Sequence, residues 1–144
     1  MSQLIVVGID SSACCQRSVE YAAESAKAAG ARLLLVHVIE WSPYSFSTAM
    51  ENEVRHKRRE EELARAQAQL IDPVQADLKA KGLEVEGVVL HGHPAQTLAE
   101  IAEERGAGSI VIGRKGTSKL KAQLFGSVPG TLVQIASVAV TVVP

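Results

Sequence analysis

The chain has 144 residues, a formal net charge of -1 at pH 7, 47% hydrophobic residues and only 3% aromatic ones. That length suits one domain over residues 1–144 that buries ~68–70% of its unfolded surface in a core of Val, Leu, Ile and Ala. The small net charge gives no global reason to expect nucleic acid or an anionic membrane as partner, and no apolar run approaches the ~18 residues of a membrane span.

In chain order, Gln3 to Ile9 is apolar without strict alternation, the pattern of a strand covered on both faces. Leu4 to Val7 is too short for a signal-peptide core and has no charged segment before it, so a cytoplasmic protein is expected. Asp10-Ser11-Ser12 follows, and Ser11 or Ser12 can cap a helix from about Ala13 to Ala29 that stops at Gly30. Val19, Ala22, Ala23 and Ala26 give that helix a narrow small-residue face. Cys14 and Cys15 are adjacent and cannot staple distant parts of the chain. At least one of them reads as a small buried group, and a redox sensor is the weaker reading. Arg32 to Val38 is a second buried strand. Glu40 to Ala49 is the least regular stretch and holds three of the five aromatic residues, Trp41, Tyr44 and Phe46. We expect a satellite apolar cluster beneath that loop.

Glu51 to Lys81 has one long helical pattern, with Leu63, Leu70, Ile71, Val74 and Leu78 inward and Glu51–Arg55 and Glu53–Lys57 as i,i+4 pairs. Pro73 predicts a kink, or a break with Asp72 as a new N-cap. The basic run Arg55 to Arg59 precedes Glu60-Glu61-Glu62, which makes it a solvated helix face. Gly82 ends the helix. A third strand spans Glu84 to Leu90, and His91-Gly92-His93-Pro94 turns into a helix from Ala95 to Arg105, stopped by Gly106. His91 and His93 could ligate a metal, but no further ligand stands near them in sequence, and a surface turn is the better reading. Ser109 to Gly113 is the fourth strand, Val128 to Ala136 a helix, and Val138 to Val143 the fifth strand. Strands alternating with helices imply a parallel α/β sheet with helices on both faces.

The chemistry concentrates in Ser109-Ile110-Val111-Ile112-Gly113-Arg114-Lys115-Gly116 and, nine residues later, Gly126-Ser127. Without a Cβ, Gly113 and Gly116 let the backbone turn sharply and approach an anion. Gly126 and Ser127 precede a helix, where unpaired N–H groups and the helix dipole favour negative charge. The Ser127 hydroxyl can donate to a phosphate oxygen, and Arg114, Lys115, Lys119 and Lys121 make the loop cationic. Taken singly, each glycine could serve only the turn and Ser127 only the cap. Together, in strand–loop–helix context, they point to phosphate binding.

Gly113-x-x-Gly116-x9-Gly126-Ser127 resembles the ATP-binding signature of the universal stress protein family. The likeness extends over nearly the whole chain, through Ile5-Val6-Val7-Gly8-Ile9-Asp10, Val36-His37-Val38, Gly92-His93-Pro94 and the C-terminal apolar strand. The resemblance implies a Rossmann-like (adenine nucleotide alpha hydrolase-like) sheet of five parallel strands in the order 3-2-1-4-5. It also implies ATP with Mg2+ as ligand. Asp10, next to Ile9, resembles the family's carboxylate near the nucleoside, and Val38 its adenine-contacting backbone position. Gly113, Gly116, Gly126 and Ser127, with Ile112, Arg114 and Val128 beside them, resemble its ribose- and phosphate-contacting residues. From the sequence itself Asp10 is equally a helix-capping carboxylate. The chain departs from the family pattern at Gly130, at Ala139 and at Gly108-Ser109, none of which touches the glycine spacing.

Nothing here resembles the machinery of fast phosphoryl transfer. The Walker spacing is absent, and apart from Asp10 no acidic residue is an obvious metal holder or water-orienting base. The leading expectation is a nucleotide-dependent regulatory protein, at most hydrolysing ATP slowly or phosphorylating itself. The enzyme alternative is an ATP pyrophosphatase or adenylyl transferase on a related fold. A phospho-acceptor role for Asp10 would need neighbouring carboxylates that the first strand lacks. An uncharged, β-branched last strand at the sheet edge that the resemblance implies predicts a homodimer paired through Val138 to Val143.

Overall fold

The computed structural model describes residues 3–10, 14–40, 49–114 and 128–144, with side chains described from 16 and 56 onward in the second and third of these spans. Its elements in chain order are β1 (Leu4–Gly8), α1 (Cys14–Ala29), β2 (Arg32–Glu40), α2 (Ala49–Ala66), a π-helical turn (Gln67–Ile71), α3 (Asp72–Ala80), β3 (Val85–Gly92), α4 (Pro94–Glu104), β4 (Ser109–Gly113), α5 (Val128–Ile135) and β5 (Ala139–Val143). The strands form one sheet in the order β3-β2-β1-β4-β5, and every pairing in it is parallel. A parallel sheet must be covered on both faces, and the side chains divide accordingly. On one face Ile5, Val7, Leu33, Leu35, Val85 and Val111 pack against Val19, Ala22, Ala23 and Ala26 of α1 and against Ile71 and Leu78. On the other, Leu4, Val6, Leu34, Val36, Ile110 and Ile112 pack against Leu98, Ile101 and Ala102 of α4 and Leu132 of α5. The small-residue face read from α1 is buried as expected.

Three helix ends share one device. Gly30, Gly82 and Gly106 have φ of 67°, 86° and 66°, the left-handed conformation that glycine adopts without strain. The following residues, Ala31, Leu83 and Ala107, return their N–H groups to carbonyls five residues back. Each of those three is buried, so the turn also points the chain at the core.

Of the two outcomes expected around Pro73, the break does not occur. Asp72 is not an N-cap. Its N–H donates to Gln67 O, the wider bond of a π turn, and its Oδ1 accepts from Gln67 Nε2 at 2.9 Å. Pro73 then lies within the first turn of α3. A proline ring clashes with the carbonyl four residues earlier, and one widened turn makes room for it without ending the helix. That turn seats Ile71, fully buried, against β3 at Gly87, where an added Cβ would collide with Ile71 Cγ2. The expected Glu51–Arg55 and Glu53–Lys57 pairs involve side chains outside the described residues. His56 and Glu60 supply a described i,i+4 contact at 3.0 Å.

β3 runs two residues beyond the predicted strand end, because β2 extends to Glu40 and offers main-chain partners to His91 and Gly92. His91 therefore belongs to the strand rather than to a turn. Its largely buried ring lies 3.8 Å from Glu62, while His93 is exposed and precedes Pro94 at the start of α4. On the α4 face of β3, Glu86 is gripped by Arg105 at 3.1 and 3.4 Å. α5 spans Val128–Ile135, within the helix expected over Val128 to Ala136, and contains Pro129 and Gly130. Among the described residues, no helix is long and apolar enough to cross a membrane.

Candidate functional site

The order β3-β2-β1-β4-β5 places the topological switch between β1 and β4. The chain leaves β1 through α1, which packs on one face, and α5, the next described helix after β4, packs on the other. Helices departing to opposite faces leave a crevice beyond the carboxyl ends of these two strands, where α/β sheets of this kind bind ligands.

The register shows what meets there. Val7 is opposite Val111, so Ile9 and Gly113 stand two residues further along neighbouring strands. Gly8 is opposite Val36, so Asp10 and Val38 are neighbours on the other side. Asp10, Val38 and Gly113 are thus brought to one end of the sheet. Ile9 is buried, Asp10 and Val38 are half-buried, Gly113 ends β4 and Arg114 is exposed just past it. The Arg114 N–H donates to Val143 O at 2.7 Å, tying the start of the glycine loop to β5. Ile112 is buried on the α4 face, and it explains the glycine at the end of β1. A Cβ on Gly8 would stand 2.9 Å from Ile112 Cγ2 and 3.3 Å from Leu98 Cδ1, so Gly8 is small for packing. Val128, at the start of α5, packs on the same apolar cluster as Ile112.

Gly116, Gly126 and Ser127 lie outside the described residues, as do Lys115, Lys119, Lys121 and the aromatic loop at Trp41, Tyr44 and Phe46. The described half of the crevice is the side with Asp10 and Val38. Sequence reasoning did not place His37, which stands beside these residues. Its Nδ1 lies 2.6 Å from the carbonyl oxygen of Ile9, between two of the expected site residues. The available signal was a lone imidazole in the otherwise apolar run Leu33 to Ile39.

The whole chain, residues 1–144, matches the model of the universal stress protein family. Universal stress protein Rv1996 of Mycobacterium tuberculosis is 30% identical over 97% of this chain, which spans 47% of that protein, about half the length of this curated relative. Among solved structures, universal stress protein UspA from Lactobacillus plantarum superposes with a TM-score of 0.85 at 24% identity, over 99% of this chain and 97% of that one. A universal stress protein solved in complex with cAMP is 26% identical, with a TM-score of 0.66 over 99% of this chain and 96% of its own. A sheet in the expected strand order and a family match from the first residue to the last lead to one conclusion: the chain belongs to the universal stress protein family.

Proposed function

We propose that the chain is an ATP-binding regulatory protein, with the adenine near Asp10, Ile9 and Val38 and the ribose and phosphates at Ile112, Gly113, Arg114, Gly116, Gly126, Ser127 and Val128. The observation that carries this reading is the meeting of Asp10, Val38 and Gly113 at the switch between β1 and β4. Support for an adenine nucleotide comes from the structural relative solved with cAMP. Support for a triphosphate comes from the complete glycine spacing and the four cationic residues within it. Mg2+ accompanies ATP by coordinating its phosphate oxygens.

Regulation by occupancy, rather than fast chemistry, suits a crevice with one carboxylate at the end of β1 and no Walker lysine. In this reading residues 1–144 act as one domain in the cytoplasm, where ATP is abundant, and work as a homodimer joined along β5. The support for the dimer is an edge strand, Ala139–Val143, with no charged residue and with half-buried valines at 140, 142 and 143.

The deciding measurement is calorimetry on the purified protein, with release of bound nucleotide on denaturation as a companion. Wild type is expected to bind ATP. Gly126→Val is expected to abolish phosphate-dependent affinity while adenosine binding and the thermal midpoint persist. Unchanged ATP affinity in that variant would refute the phosphate assignment.

A further inference from the structure

β1 ends at Gly8, yet the next residue is held on both of its main-chain groups. The Ile9 N–H donates to Val36 O at 2.8 Å, and the Ile9 carbonyl faces His37 Nδ1 at 2.6 Å. A carbonyl oxygen only accepts, so Nδ1 carries the hydrogen and donates it, which leaves the lone pair of the neutral ring on Nε2. A parallel ladder continuing past Gly8 would meet this carbonyl with a main-chain N–H of β2. Here an imidazole meets it instead. The carbonyl belongs to the planar peptide that joins Ile9 to Asp10, so fixing its direction also fixes the direction in which Asp10 leaves the strand. The Ile9 side chain is 5% exposed, which anchors the other end of the same lever.

We infer that His37 is a positioning residue for the adenine-nucleotide site, orienting Asp10 through the Ile9–Asp10 peptide so that its carboxylate meets the nucleoside. This inference rests on the reading of the site given above. His37 acts on the nucleoside side and through Asp10, so its loss weakens adenosine and ATP by the same factor.

The test is calorimetry with adenosine and with ATP on wild type, His37→Leu, His37→Asn and His37→Gln, in the Asp10 and the Asp10→Ala backgrounds. The Asn amide N–H falls near the place of Nδ1, whereas that of Gln reaches toward Nε2. His37→Leu is expected to weaken both ligands roughly three- to tenfold, the scale of one lost hydrogen bond. His37→Asn should recover most of this and His37→Gln should not. In the Asp10→Ala background the exchange to Leu should change nothing further, the non-additivity of residues that act as a unit. Nitrogen NMR of the neutral wild-type ring should find the proton on Nδ1. Should His37→Leu fail to fold, the Asn and Gln variants carry the same comparison. Wild-type affinity in His37→Leu, an equal loss in the Asp10→Ala background, or a ring protonated on Nε2 would each overturn the positioning role. A wild-type chain that binds neither adenosine nor ATP would instead overturn the proposed function, and this inference with it.

Discussion

Gly87 and Ile71 show how one missing Cβ decides the packing of a whole layer. Ile71 projects from the π turn into the space a side chain at 87 would fill, and Gln75 Nε2 donates to the Val85 carbonyl at 3.3 Å beside it. Gly87→Ala is therefore expected to destabilise the fold by about 1–3 kcal/mol, the usual cost of overpacking a filled core. Ile71→Ala alone should cost about 2–5 kcal/mol through the cavity it leaves. Combined, the two should cost less than their sum, because the second substitution removes the methyl group that the first one strikes. Urea denaturation of the three variants checks this, and strict additivity would mean that helix and strand do not press on each other here. Gly8 obeys the same logic against Ile112 and Leu98, so its proximity to the crevice is incidental to its size.

At the scale of elements, periodicity and turn residues were readable because local chemistry settles them. Glycines end α1, α3 and α4, and the apolar runs became strands buried on both faces. The π turn was not readable. Pro73 announces a disturbance, but whether a helix breaks or widens depends on what Ile71 can pack against, and Gly87 stands 16 residues away in sequence. The reach of β3 to Gly92 was likewise hidden, since it depends on the length of β2. His37 escaped notice for the same reason, because its partner is 28 residues distant. β5 carries the prediction that belongs to this scale. Lysines in place of Val140 and Val142 are expected to turn a dimer into soluble monomers, as measured by light scattering with multi-angle detection. A wild-type monomer at micromolar concentration, or a dimer indifferent to both lysines, would exclude β5 as the interface.

For the whole molecule, spacing alone yielded a parallel sheet but not its strand order, which followed from the family resemblance and is the order found. The proposed phosphate site was legible as a motif, whereas the meeting of Asp10, Val38 and Gly113 depends on register between strands. Turnover is expected to be absent or far below the ~1–10³ s⁻¹ of ordinary enzymes. A preparation hydrolysing several ATP molecules per second, and losing that rate on Asp10→Ala, would promote the pyrophosphatase or adenylyl transferase alternative. The two margins of the sheet differ in one further respect. β3 carries Glu86, clasped by Arg105, with exposed Glu84 just before it, while β5 bears no charge along its length. Strands carrying such acidic side chains resist a second chain laid alongside. If two copies join at β5, both outer margins of the combined sheet are therefore β3, and growth stops. Such an assembly would close at two copies rather than propagate into a fibre.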